Sequence, residues 1–305
     1  MRTLHYLPAL LLVALLTVTG CQKADNQQPA EEAETMTHNG WTLDDAGFQT
    51  PESVLWDQEA DMYYVSNLGG PQPLQKDDNG FISKITPDDQ TVDPKWIAGG
   101  TKGITLNAPK GMARYGNWLL VADIDVLRVF NIADGTAVMD IPLPDATFAN
   151  DVWAAKGVVY VTDTGTEGPG GIYAVTFEGE EMLPVVDTMV RDAGLTNPNG
   201  IIEDQDMLYM VPYGGTGFFQ INRDGEFTSI ADSPMGSLDG LVKLKDGRFA
   251  FTSWDAKTVY VMDAEHVITP LFTDLESPAD IGYDSKRDLL LIPQFMLDKV
   301  VAKPL

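Results

Sequence analysis

Cysteine and histidine are both scarce in this sequence. Cys21 is the only cysteine among 305 residues, and it precedes the region in which strands are predicted. The folded part therefore has no internal disulfide, no zinc site built from thiolates and no cysteine nucleophile. The three histidines are His5, His38 and His266, and only His266 falls among the predicted strands. A serine–histidine–aspartate hydrolase is accordingly disfavoured.

Basic residues are also few. The chain has 20 Lys and Arg against 45 Asp and Glu, which gives a formal net charge of −25. A surface this acidic does not attract phosphate backbones, so nucleic acid is excluded as a partner. The charge allows two interpretations, solubility in a salty medium and attraction for cations, and the charge alone favours solubility.

Long apolar runs are limited to one, which extends from Leu7 to Val18. It is too short to span a bilayer but has the length of a signal-peptide core. The run ends in Val18-Thr19-Gly20-Cys21, which resembles the lipobox of bacterial lipoproteins. We therefore predict a signal peptide over residues 1–20 and a lipid on Cys21 that makes the membrane a partner. Because Gln22 follows the cysteine where aspartate would signal inner-membrane retention, the resemblance implies the outer membrane, facing the periplasm.

The rest of the chain divides into a tether and a repeat. Residues 21–40 are polar and acidic and lack a periodic apolar face, which is typical of a flexible tether. Residues 41–305 contain short runs rich in β-branched and aromatic residues, separated by Gly, Asp, Asn and Pro. The clearest runs are MYYVSN (62–67), WLLVAD (118–123), VVYVTD (158–163), MLYMVPY (207–213), RFAFTSW (248–254) and LLLIPQ (289–294). With further strands in each unit, the pattern predicts an all-β fold, a six-bladed β-propeller of four-stranded antiparallel blades.

The last unit is incomplete, since it ends at Leu305 after its third strand. A blade of three strands leaves an open edge unless another segment pairs with it. Residues 41–48 are free to supply the missing strand, and we expect them to close the ring.

Two polar or aromatic positions recur in every unit. One precedes or begins the first strand, and its six occupants are Glu52, Lys110, Asn150, Asn199, Asp239 and Asp280. The other ends the next strand about 13 to 15 residues later, and its occupants are Asn67, Asp123, Asp163, Tyr213, Trp254 and Gln294. Because the first strand of a blade runs along the channel and the second returns, both sets are predicted at one channel mouth. The first set forms an inner ring there. The second set forms a surrounding ring that is predicted to line the substrate site.

The inner ring is rich in oxygen atoms. Carboxylates and amide carbonyls are the ligands of a hard cation such as Ca²⁺. Pro198-Asn199-Gly200 and Leu238-Asp239-Gly240 are also common turn sequences, so a plain turn explains each motif taken alone. The convergence of six such positions on one mouth favours a site. We predict one divalent metal ion, with Ca²⁺ favoured and Mg²⁺, Mn²⁺ and Zn²⁺ as alternatives.

The order of these motifs resembles that of the gluconolactonase and regucalcin family of six-bladed propellers. The resemblance covers roughly residues 48–305 and rests on Glu52-Ser53, Asn150-Asp151, Pro198-Asn199-Gly200 and Asp239-Gly240. It implies that Glu52, Asn199 and Asp239 bind the metal. It also implies that Asn150 lies beside metal and substrate and that Asp239 is the general acid and base.

The resemblance implies a metal-dependent hydrolase that opens a lactone or a related ester of a small polar substrate. We add Lys110 to the catalytic candidates Asp239 and Asn150, since an ammonium at the mouth would hold an anionic substrate or stabilise an oxyanion. Asp280 is grouped with the substrate-lining residues. The alternative is a non-catalytic, lipid-anchored propeller that binds a small molecule or a protein partner of the cell envelope.

Overall fold

A computed structural model describes residues 39–305. The predicted signal peptide, the lipidation site Cys21 and all but the last two residues of the tether lie outside this range. Within it, no helix is both long and apolar enough to cross a membrane.

The described residues form six sheets of four antiparallel strands, as the sequence predicts. Blade 1 consists of β2 (Pro51–Asp57), β3 (Met62–Asn67), β4 (Phe81–Ile85) and β5 (Val92–Ala98). Blade 2 consists of β6 (Pro109–Tyr115), β7 (Trp118–Asp123), β8 (Val126–Asn131) and β9 (Ala137–Pro142). Blade 3 consists of β10 (Ala149–Ala155), β11 (Val158–Asp163), β12 (Gly171–Glu178) and β13 (Leu183–Arg191).

The second half of the chain repeats this arrangement. Blade 4 consists of β14 (Pro198–Asp204), β15 (Met207–Pro212), β16 (Gly217–Ile221) and β17 (Phe227–Asp232). Blade 5 consists of β18 (Leu238–Lys243), β19 (Phe249–Ser253), β20 (Thr258–Met262) and β21 (Ile268–Phe272). Blade 6 consists of β22 (Gly282–Asp284), β23 (Leu289–Gln294), β24 (Lys299–Pro304) and β1 (Trp41–Leu43). Two short 3₁₀ helices, Ala193–Leu195 and Phe295–Leu297, lie in connecting loops.

The ring closes through β1. This confirms that the segment 41–48 supplies the missing strand, although the strand itself extends only over Trp41–Leu43. Trp41 pairs with Ala302 and Leu43 pairs with Val300 of β24. The backbone groups of β24 that would otherwise form an open edge are thereby satisfied. The first and last strands of the propeller thus belong to the same blade.

The core consists of six apolar layers, one between each pair of neighbouring blades. In the layer between blades 6 and 1, Tyr63 and Val65 of β3 pack with Leu289 and Leu291 of β23. Alternate side chains of the middle strands point to opposite faces, so each blade contributes to two layers. This explains why runs such as MYYVSN and LLLIPQ are apolar almost throughout and are buried at nearly every position.

The inner strands of blades 1–5 share a shift in register at their first residues. In each case the shift includes the polar residue of the predicted inner ring: Glu52, Lys110, Asn150, Asn199 and Asp239. An irregularity of this kind bends the strand and redirects a side chain. The polar side chains are therefore directed toward the channel mouth by local strand geometry.

The glycines that follow these polar residues have a packing role. Gly200 and Gly240 lie inside strands, and neither has a positive φ, so the turn interpretation of these two motifs is wrong. A Cβ atom on Gly200 would collide with the carbonyl oxygen of Asp239, and one on Gly240 would collide with the amide of Ile281. Glycine is needed because neighbouring inner strands approach each other closely around the channel.

Candidate functional site

One end of the central channel opens into a cavity of about 270 Å³. Its polar lining residues are Glu52, Lys110, Asn150, Asn199, Tyr213 and Asp239. Its remaining lining residues are Leu68, Pro71, Pro73, Phe148, Trp254 and Phe295. The structure thus brings together five of the six inner-ring residues and, from the surrounding ring, Tyr213 and Trp254.

Three buried oxygen atoms in this cavity have no hydrogen-bond partner: Glu52 Oε2, Asn199 Oδ1 and Asp239 Oδ1. The three residues are between 2% and 6% exposed, so water offers them little compensation. A buried acceptor without a partner costs free energy, and three in one cavity require an explanation. A cation bound among them would supply the missing interaction, so the three residues fit a metal site.

The other side-chain polar atoms of Asp239 and Asn199 are engaged, which orients their free oxygens. Trp254 Nε1 donates to Asp239 Oδ2 at 2.6 Å. Asn199 Nδ2 donates to the carbonyl of Leu238 at 3.3 Å. An oxygen is thereby left available on each residue, as a hard cation requires.

Burial perturbs the two carboxylates strongly. Burial, followed by the negative charge of Asp239, holds the pKa of Glu52 well above its usual range, and nearby Lys110 partly offsets this rise. Burial raises the pKa of Asp239 to about 7. Both shifts have the direction expected of carboxylates that are buried without enough positive charge around them.

Lys110 occupies the same cavity and is almost fully buried. Its Nζ donates to the carbonyl of Ala108 at 2.9 Å and lies 4.7 Å from the centre of the Phe148 ring. Burial lowers its pKa to about 8, while Glu52 and Asp123 act in the opposite direction. The amine therefore holds its proton at neutral pH and supplies one positive charge beside the carboxylates.

Asn150 is held by a loop of its own blade, which is in turn bonded to blade 4. Its Nδ2 donates to Thr164 Oγ1 at 2.9 Å, and that hydroxyl donates to the carbonyl of Pro198 at 2.8 Å. This chain of hydrogen bonds connects blade 3 to the start of β14, which also contains Asn199. The amide of Asn150 therefore has a fixed position beside the three oxygens.

Four predicted substrate-lining residues, Asn67, Asp123, Asp163 and Gln294, do not line the cavity. Each accepts a hydrogen bond from backbone N–H groups of the loop that enters its own blade. Asp123 accepts from Asn107 and Ala108 just before Lys110. Asp163 accepts in the same way from the loop before Asn150, and Asn67 and Gln294 accept from Gln49 and Glu276. The constant sequence spacing therefore reflects loop positioning, which is why these side chains are buried away from the cavity.

Asp280 also lies outside this cavity, which corrects its predicted place in the inner ring. Its Oδ2 accepts a hydrogen bond from Ser53 Oγ at 2.5 Å, and it forms a parallel bridge with Ser53. Because this bridge places Asp280 level with Ser53, Asp280 lies one residue further along the channel than Glu52. Asp280 and Asp151 instead contribute to a second cavity of about 300 Å³ among the inner strands.

Sequence reasoning overlooked the apolar part of the lining. Phe148 and Phe295 are adjacent to predicted positions, but single aromatic residues in loops give no distinctive pattern. Pro71 and Pro73 could have been found from the sequence. The first unit is the longest, and its extra residues include the segment Gly-Gly-Pro-Gln-Pro (69–73), which indicates an inserted loop. That segment belongs to the loop between β3 and β4 and reaches the cavity.

The metal-free protein is expected to lose stability as pH rises. Burial raises the pKa of Asp151 from its ordinary 3.8 to about 7, so the folded chain binds this proton more tightly than the unfolded chain. The resulting stability is fully present below pH 3.8 and is lost as pH rises through about 7. In the presence of chelator, the melting temperature should fall between pH 4 and pH 8. The decline should be shallower in Asp151→Asn and unchanged in the exposed control Asp187→Asn; equal slopes in all three proteins would contradict the assignment.

Comparison with known proteins establishes the fold of this chain. No protein-family model and no curated protein matches the sequence. Among solved structures, virginiamycin B lyase from Staphylococcus aureus superposes with a TM-score of 0.59 and 15% identity over 88% of this chain and 98% of its own. A gluconolactonase from Xanthomonas campestris gives a TM-score of 0.60 and 16% identity over 88% of this chain and 87% of its own. At such identity the likeness establishes a shared six-bladed propeller fold.

Proposed function

We propose that the cavity binds one divalent cation through Glu52, Asn199 and Asp239 and hydrolyses a lactone or related carboxylic ester. The observation that supports this most strongly is the set of three buried oxygens without partners on these residues. All three candidate ligands are oxygen atoms, which favours Ca²⁺ over metals that prefer nitrogen or sulfur. The similar fold of a gluconolactonase is consistent with this chemistry.

A bound cation would polarise the ester carbonyl and make water a better nucleophile. The protein groups then have separate tasks. Asp239 lines the cavity and offers the carboxylate that takes a proton from water. Lys110 places a buried ammonium where it stabilises negative charge on the carbonyl oxygen. Asn150, held by Thr164, orients the substrate.

A lyase reaction like that of the streptogramin-inactivating neighbours has less support. In virginiamycin B lyase, replacement of one histidine by alanine gives a catalytically inactive protein. Among residues 39–305 of this chain, the one histidine is His266, an exposed residue in the turn between β20 and β21. It does not line the cavity. Activation of water by Asp239 needs no histidine, and Asp239 lines the cavity.

A binding function without turnover is the second candidate, and Lys110 is the observation that favours it. Its positive charge already lowers the pKa of Glu52 and so reduces the attraction of the cavity for a cation. If the cation binds weakly, the same cavity would still accept a ligand that pairs with Lys110. In either case the lipid on Cys21 would keep the propeller at the outer membrane, as the sequence predicts.

Calcium titration of the purified protein tests the metal centre. We expect stoichiometric binding by calorimetry and a loss of affinity of about 100-fold in Glu52→Gln, which removes one of two ligand charges. Exposed Glu181→Gln is the matched control and should bind like the parent protein. Heat signals that are the same with and without the Glu52 carboxylate would rule out this centre.

A further inference from the structure

The polar and apolar lining residues of the cavity come from different parts of the blades. The polar residues, apart from Tyr213, are among the first residues of the inner strands. The apolar residues, which form an apolar wall, all lie in loops outside the strands: Leu68, Pro71, Pro73, Phe148, Trp254 and Phe295. Of these, only Trp254 has a polar side-chain atom, and that N–H donates to Asp239.

The apolar wall is fixed in place. The rings of Trp254 and Phe295 lie 5.1 Å apart at 58°. Phe295 also packs against a small buried cluster of Leu68, Ala108 and Ile124. Because the indole is held by Asp239 and the phenyl ring by this cluster, the wall does not turn a polar group toward a ligand.

Exposed apolar residues follow the lining residues in the sequence. Leu74 follows the lining residue Pro73, and Met296 and Leu297 follow the lining residue Phe295. These three side chains are between 41% and 68% exposed. Single exposed apolar residues are common, but several beside the lining residues of one cavity indicate a surface for an apolar ligand.

We propose that the substrate is a lactone or ester with an apolar alkyl or aryl arm, which lies against this wall while the carbonyl lies against the polar lining residues. This proposal rests on the hydrolytic function proposed above. A polyhydroxylated sugar lactone would place some of its hydroxyl groups against the apolar wall, which offers them no partner, and burying them there is costly. In the reaction, the oxygen of water bonds to the carbonyl carbon, the acyl carbon–oxygen bond breaks, and the released alkoxide oxygen takes a proton. The product is a hydroxy acid, or an acid and an alcohol.

A series of γ-lactones with alkyl arms of increasing length tests this substrate class. With the purified protein and Ca²⁺, kcat/KM should rise about threefold to fourfold per methylene over the first few carbons. An aldonolactone with the same ring should be the poorest substrate. Phe295→Ala should flatten the dependence on arm length, Phe295→Leu should retain most of it, and the remote control Leu183→Ala should retain all of it. A dependence that is already flat in the parent protein, or a preference for the aldonolactone, would overturn the proposal.

Binding of the corresponding alkyl lactams, which resist hydrolysis, separates the two proposals. Affinity that rises with arm length, and does so less in Phe295→Ala, supports the apolar arm even where no lactone is hydrolysed; the hydrolytic function then fails alone. If lactones are hydrolysed but neither rate nor affinity rises with arm length, the hydrolytic function holds and the apolar-arm proposal fails. Phe295→Leu preserves apolar packing. If Phe295→Ala does not fold, the dependence of affinity on arm length in Phe295→Leu and in the parent protein tests the proposal.

Discussion

Asp239→Asn is expected to lower hydrolysis by about 100-fold or more while the propeller stays at least as stable as before. The rate falls because the substitution removes a ligand charge and the proposed general base together. Stability is retained because burial raises the pKa of Asp239 to about 7, above its ordinary 3.8. The proton on this group stabilises the folded state fully below pH 3.8, and that contribution is lost as pH rises through about 7. At pH 8 the metal-free protein therefore contains an unfavourable buried charge, which asparagine eliminates.

Steady-state rates and melting temperatures at pH 8 in chelator check this expectation together. The control is Asp187→Asn, which changes an exposed carboxylate of β13. A melting temperature that drops by many degrees in Asp239→Asn would make the residue structural. Full activity in a stable variant would exclude Asp239 from the reaction.

Arg287→Met is expected to reduce the free energy of unfolding by about 3–5 kcal/mol. The guanidinium is buried between the last and first blades, where Nη1 donates to Asp284 at 2.9 Å and to Asp61 at 2.7 Å, and Nη2 donates to Asp88 at 2.6 Å. Asp284 is fully buried and also accepts from Tyr63 Oη at 2.6 Å. Removal of the arginine leaves this carboxylate without its compensating charge. Since the network joins the two ends of the ring, its loss weakens closure.

Denaturant unfolding measures this effect, and Lys257→Met is the matched control. Lys257 pairs with Glu276, and both side chains are about half exposed. Loss of such a surface pair costs at most about 1 kcal/mol. If both variants lose the same small amount of unfolding free energy, the Arg287 network does not stabilise ring closure. Closure then depends on the β1–β24 pairing and the apolar layer between blades 6 and 1.

The fold could be predicted from the sequence because each strand of the repeat has a recognisable local pattern of residues. A strand such as WLLVAD needs no knowledge of distant residues to be recognised, and six similar units define the blade number. The need for β1 also followed from the sequence, since a blade of three strands leaves hydrogen-bonding groups unpaired. The family resemblance, in turn, named Glu52, Asn199 and Asp239, whose free oxygens the structure places in one cavity.

The sequence by itself therefore determined the architecture, the closing segment and the end of the channel where polar residues gather. Tertiary structure decided which of those residues share a cavity. The sequence repeat grouped Asp280 and Asp123 with cavity residues, but Asp280 accepts a hydrogen bond from Ser53 further along the channel and Asp123 holds a loop. The apolar wall, with Phe295 against Trp254, was likewise decided by the ring. The physical reason is that strands and blades depend on contacts close in the sequence, whereas the cavity depends on how loops from five different blades meet at the channel.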